Sequence, residues 1–160
     1  MYWNNKYVYP KSSRSIFQGS RHYAVNHENL PSVTTILKAT ESEEKKTKLE
    51  QWKKKVGYKA AEVISREATN RGSSMHDYLE KFLLGKLNLD LLGDNTRERM
   101  MANQIIENGL RNKLSEIWGC EATLYYPGKY AGAADCIGIY ENKETIIDFK
   151  QSNKPKKDEW

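Results

Sequence analysis

Gly132 to Lys150 reads Gly-Ala-Ala-Asp-Cys-Ile-Gly-Ile-Tyr-Glu-Asn-Lys-Glu-Thr-Ile-Ile-Asp-Phe-Lys. The stretch predicts two short strands, 134–140 and 145–150, rich in Ile, Tyr, Phe and Thr, around a polar turn at 141–144. Alternation in the second strand puts Asp148 and Lys150 on one face and Ile147 and Phe149 on the other. A turn centred on Asn142 and Lys143 sets Asp135 opposite Lys150 and Asp148 opposite Ile137. Asp135 and Asp148 are then diagonal neighbours, with Cβ atoms roughly 7 Å apart or less. Two carboxylates and one ammonium converge at one end of a hairpin.

Adjacent acids repel, and a divalent cation removes the repulsion. Hard oxygen ligands suit Mg²⁺ or Mn²⁺. A lysine beside such an ion can position a water or offset charge building on a phosphate. The three residues taken alone favour the plainer reading, a surface hairpin carrying a salt bridge.

The strand Glu121–Tyr126 precedes the hairpin and turns into it through Pro127-Gly128-Lys129. Three antiparallel strands therefore follow one another, and Glu121 falls roughly beside Asp135 as a further acid. Upstream the pattern is helical. Pro31-Ser32-Val33-Thr34 marks a helix start whose hydroxyls and free N–H groups can hold a phosphate or simply cap the helix. Residues 41–55 predict a highly charged helix with Leu49 and Trp52 inward. Its lysines, Lys53 among them, suit a solvated face or a phosphate backbone. Residues 58–86 predict helix broken near Asn70-Arg71-Gly72, with Ala60, Ala61, Val63, Ile64 and Ala68 on the first apolar face. Met75, Leu79, Phe82 and Leu83 form the second, and His76 and Glu80 lie one turn apart. A further amphipathic helix is predicted over 95–117, with no chemistry assigned to it.

Composition sets the class. The chain has 160 residues, 38% hydrophobic and 29% charged, with net charge +5 and pI near 9.1, which favours a polyanionic partner. Ten Tyr and four Trp offer rings on which bases can stack. Cys120 and Cys136 have no zinc-finger spacing and read as small apolar strand residues in a reducing interior. No apolar run has membrane-spanning length and no secretory h-region is evident, so an intracellular setting such as the cytoplasm is expected. Residues 1–20 contain no acid and read as a basic Tyr- and Ser-rich arm, with 21–160 as the main domain.

Asp135 followed by Asp148-Phe149-Lys150 resembles the core of the PD-(D/E)XK nuclease superfamily. With Pro31-Ser32-Val33-Thr34, Arg71-Gly72…His76, Glu121, Gly132-x-x-Asp135 and Asp148-Phe149-Lys150-Gln-Ser in this order, residues 30–152 are similar to its RecB-like branch. Within that branch they look like the mitochondrial genome maintenance exonuclease type and its phage relatives.

The resemblance implies an α/β (α+β) restriction-endonuclease-like core. Its mainly antiparallel sheet would come from residues 119–150, flanked by helices from 31–117. It implies a Mg²⁺- or Mn²⁺-dependent DNA exonuclease acting on single-stranded ends in DNA repair or recombination, taken as a monomer. Asp135 and Asp148 would hold the metal, Lys150 would serve the water and the phosphate, and His76 would complete the site, with Glu121 a further ligand. Ser32, Thr34, Arg71, Ser152 and Lys53 would contact DNA. Relatives continue past the lysine strand into a helix bearing Gln and Tyr, so the domain is expected to be C-terminally incomplete. The rival readings are a flap or branch endonuclease and a nucleic-acid-binding protein with a core that no longer cuts.

Overall fold

The computed structural model describes residues 1–86 and 96–152. The Lys-rich stretch Lys154-Pro155-Lys156-Lys157 and Trp160 lie outside them. Two sheets and four α-helices make up the described residues. Strands β2 (Ser12–Phe17), β3 (Ser20–Val25) and β4 (Glu28–Pro31) form an antiparallel sheet. Helices α1 (Val33–Ala39), α2 (Glu43–Val56), α3 (Tyr58–Leu83) and α4 (Arg97–Ile105) follow, the last running into a π-helical turn, Ile106–Leu110. Strands β5 (Leu114–Tyr126), β6 (Tyr130–Tyr140) and β7 (Lys143–Ile147) are antiparallel, and β1 (Tyr2–Trp3) adds in parallel at the β5 edge. The mixed α+β architecture with a mainly antiparallel C-terminal sheet is the one the sequence predicts. Residues 1–20 supply β1 and β2.

The main core lies between α3, α4 and the larger sheet. Met75, Leu79 and Leu83 recur every fourth residue on α3 and are fully buried against Ala102, Ile106, Leu110, Leu114, Ile117, Cys136 and Phe149. Burying each large apolar side chain stabilises the fold by about 1.5–3 kcal/mol. A smaller cluster of Tyr23, Val25, Leu30 and Ala131 seats the three-stranded sheet on the β5–β6 hairpin.

The helical region departs from the expected pattern in three places. First, α3 is continuous through Gly72. A glycine costs a helix interior about 1 kcal/mol, which the Met75–Leu79–Leu83 stripe outweighs. Second, α2 buries no residue, Leu49 is exposed, and the first half of α3 buries only Ala61, leaving Val63 and Ile64 in solvent. The pair α2–α3, joined at Gly57 with φ +88°, thus presents its outer half to water. Third, the helix predicted to 117 ends by Leu110, and Asn112 has φ +65°. Leu114 and Ile117 mimic helical spacing but face the core from β5.

The hairpin register also differs. Tyr140 pairs with Lys143 and Cys136 with Ile147, so the turn is the two-residue Glu141–Asn142, both with positive φ. Such a turn matches the right-handed twist of the strands. Ile137 therefore opposes Ile146, not Asp148, and the ladder stops at Ile147, before Asp148 and Lys150. The predicted pairing of Asp135 with Lys150 does not form. The alternation of faces does: Phe149 is buried with the core, and Asp148 and Lys150 are exposed. β5 follows β6 closely at the register shift near Ile117, where Gly138 lies against Glu116. A Cβ at Gly138 would fall 2.0 Å from the Glu116 carbonyl oxygen, so only glycine fits.

Candidate active site

Cys120 pairs with Cys136 and Ala122 with Ala134, which sets Glu121 directly across from Asp135. Glu121 has φ +48° inside a strand. A left-handed conformation costs a non-glycine residue roughly 1–2 kcal/mol, and here it falls at the point where two carboxylates meet. His76 reaches the same point from α3, with Nδ1 3.6 Å from Asp135 Oδ2. One ligand atom from each of His76, Glu121 and Asp135 lies within 4.8 Å of the others. All three are half-buried.

Asp135 is held from a second side. The backbone N–H of Phe149 donates to Asp135 Oδ2 at 2.7 Å. Phe149 is anchored in the core, and its ring meets His76 edge-on at 6.2 Å. One buried residue past the end of β7 thus steadies both the acid and the imidazole. Asp148 and Lys150 flank Phe149 and pair with each other at 2.7 Å on the exposed side.

The electrostatics follow from this geometry. The Asp135 carboxylate beside it raises the pKa of His76 against the opposing effect of burial. Burial acts to raise Asp135, but His76 and the Phe149 N–H outweigh it and hold the carboxyl below its ordinary value. Burial, then the Asp135 charge, raises Glu121. Without a cation, Asp135 favours the protonated form of His76, and Glu121 resists ionising. Two carboxylates with one imidazole suit a divalent ion such as Mn²⁺ or Mg²⁺.

The cluster opens into a cleft of ≈ 1580 Å³. Asp148, Lys150, Ser32 and Thr34 also line it. Ser32 is buried, its hydroxyl accepting the Thr35 N–H at 3.0 Å as the cap of α1, while Thr34 is exposed. Arg71, Lys53 and Ser152 are not among the lining residues. Arg71 is half-buried on α3, and its Nε has no hydrogen-bond partner among the described residues. Lys53 lies on α2, 4.0 Å from Glu50, and Ser152 is exposed.

Two further cleft residues had no site role in the sequence reading. Arg14 of β2 lowers the pKa of Glu121 through its charge, and Glu80 of α3 raises it. Glu80 had a signal in its one-turn spacing from His76. Arg14 had none, because only the packing of β2–β4 on the β5–β6 hairpin brings it there.

The chain is similar to mitochondrial genome maintenance exonuclease 1 of Mus musculus, 31% identical over 133 residues that cover 80% of this chain and 38% of that protein. It is 28% identical to the Homo sapiens protein over 135 residues, 79% of this chain and 38% of the relative. The Xenopus tropicalis protein is 30% identical over 135 residues, 79% of this chain and 37% of the relative. No family model matches. The chain therefore spans under two-fifths of the length of these curated relatives, and its likeness to them supports a nuclease in the broad sense.

Proposed function

We propose that this chain carries the hydrolytic core of a metal-dependent deoxyribonuclease that shortens DNA from single-stranded ends. The observation that carries the reading is the meeting of His76, Glu121 and Asp135 beside Asp148 and Lys150 in one open cleft. The relatives' name, exonuclease, supports the end-directed form of the reaction. Two free cysteines fit a reducing compartment as its setting.

The reaction is phosphodiester hydrolysis. A water oxygen bonds to phosphorus, the bond to one ester oxygen breaks, and that oxygen leaves with a proton. A divalent ion, when bound, polarises the phosphate and lowers the pKa of a coordinated water. Asp135 and Glu121 would supply carboxylate oxygens to it and His76 would supply its imidazole. Asp148 is the further acid of the set and holds the Lys150 ammonium at 2.7 Å. Lys150 places positive charge where the phosphate gains negative charge. The Phe149 N–H fixes Asp135 in its ligating orientation. Thr34 and the basic cleft residues Lys11, Arg14 and Arg21 accompany the backbone.

End-labelled single-stranded and double-stranded DNA, incubated with Mg²⁺, Mn²⁺ or EDTA, tests the reading against Lys150→Ala. The expected result is metal-dependent shortening of the single strand by the parent and its loss in the variant. DNA left intact in every metal would overturn the enzyme reading, and internal cuts in a flap substrate would replace the exonuclease with an endonuclease.

A further inference from the structure

The far end of the cleft holds a feature that hydrolysis does not use. Tyr126 and Tyr130 close the β5–β6 hairpin as a cross-strand pair. Their ring centroids are 6.0 Å apart with planes inclined by 32°, so both faces lean the same way. Tyr126 and Tyr130 are 53% and 41% exposed, whereas Trp118 of the same hairpin is buried and Tyr125 and Tyr140 are half-buried. Lys129 Nζ sits 5.1 Å over the Tyr126 ring. The turn between them is pinned, because the Gly128 N–H donates to the Glu28 carboxylate at 2.6 Å. Both rings line the same cleft as Asp135 and His76. Asp135 lies five positions along β6 from Tyr130, about 16 Å at strand rise.

We propose that Tyr126 and Tyr130 form a stacking platform for the bases of a single strand, with Lys129 on the adjoining phosphate, anchoring the substrate away from the site of hydrolysis. The inference rests on the reading of the cleft as a nucleic-acid site and names the part of it that grips bases. Charge along the cleft agrees with a strand as occupant. Glu121 and Asp135 gather at the cluster and Asp148 pairs with Lys150 on the cleft wall, whereas Lys11, Arg14 and Arg21 line the other walls and Lys129, just outside the lining, stands over the Tyr126 ring. A tyrosine face accepts any base, so the platform confers grip without sequence preference, and duplex DNA, with its bases already stacked, gains little from it. The competing account is a cross-strand aromatic pair that merely stabilises the hairpin.

The test compares the parent with Tyr126→Ala/Tyr130→Ala and Tyr126→Phe/Tyr130→Phe. Binding of fluorescein-labelled dT20 is measured by anisotropy in EDTA, where no cleavage occurs. Hydrolysis of bis(4-nitrophenyl) phosphate in Mn²⁺ serves as a base-free readout of the hydrolytic cluster. Stacking predicts about fivefold or more lost per ring in the alanine variant, roughly 25-fold together, with the phenylalanine variant close to the parent. Diester hydrolysis is expected to be equal in all three. Parent-like dT20 affinity in the alanine variant, with only a lowered melting temperature, overturns the platform and leaves the enzyme reading standing. A parent inactive on the diester whose dT20 binding still depends on the rings does the reverse. A parent that binds no dT20 overturns both.

Discussion

The Phe149 backbone N–H donates to Asp135 Oδ2 at 2.7 Å, so a residue beyond the last strand of the sheet holds the central acid of the cluster. The side chain of β6 takes the donor that a longer β7 would have given to the ladder. This single bond joins the core, through buried Phe149, to the candidate site.

Asp135→Ala removes the acceptor and leaves a half-buried N–H unpaired, at a cost of about 1–3 kcal/mol. Asp135→Asn keeps an oxygen there and is expected to cost less. Thermal melting in EDTA distinguishes the two, while both variants are expected to lose metal-dependent cleavage.

Asp148→Asn acts differently. Asp148 is exposed and its partner is Lys150, a surface pair worth about 0–1 kcal/mol. The variant is expected to melt within about 2 °C of the parent in EDTA. If Asp148 belongs to the metal set, the stabilisation that Mn²⁺ gives the parent falls in this variant. Equal Mn²⁺ stabilisation of the two proteins removes Asp148 from the set.

The metal-free cluster predicts a pH profile. His76 titrates above its ordinary 6.5, so its contribution is complete below that pH and fades as pH rises through the raised value. Asp135 titrates below its ordinary 3.8, so its contribution is complete above that pH and fades as pH falls through the lowered value. Glu121, raised above 4.5, adds a further loss as it ionises. Melting in EDTA is therefore expected to be highest on the acid side of neutrality, and His76→Gln is expected to flatten the alkaline decline. A parallel decline in both proteins sinks this account.

Burial pushes the thiols of Cys120 and Cys136 up to about 12. Neither is expected to react with a thiol reagent at pH 8 until the protein unfolds. Rapid labelling of the native protein is the contrary result.

Gly138→Ala drives a methyl into the Glu116 carbonyl, where backbone has no room to give. About 3 kcal/mol of destabilisation, or no folded protein, is expected. Gly132→Ala is the contrasting case, since its Cβ meets only the Val33 side chain at 3.3 Å. Chemical denaturation of the two ranks them.

Local pattern alone determined the antiparallel run of the C-terminal third, the capped start at Ser32, the Met75–Leu79–Leu83 stripe and the exposed face shared by Asp148 and Lys150. These depend on a strand period of two, a helix period of 3.6 and a hydroxyl beside free N–H groups, all short-range. Glu121 was placed opposite Asp135 because Pro127-Gly128-Lys129 sets that register within the hairpin. Only the tertiary structure decided the second hairpin's register, since a shift from Asn142–Lys143 to Glu141–Asn142 is a small difference in turn energy settled by strand twist. It also decided that α3 runs unbroken, because the gain comes from burial against a distant sheet. The meeting of His76 with Asp135, the approach of Arg14 to Glu121 and the bond from Phe149 join residues 14 to 107 positions apart, and no local pattern encodes such contacts.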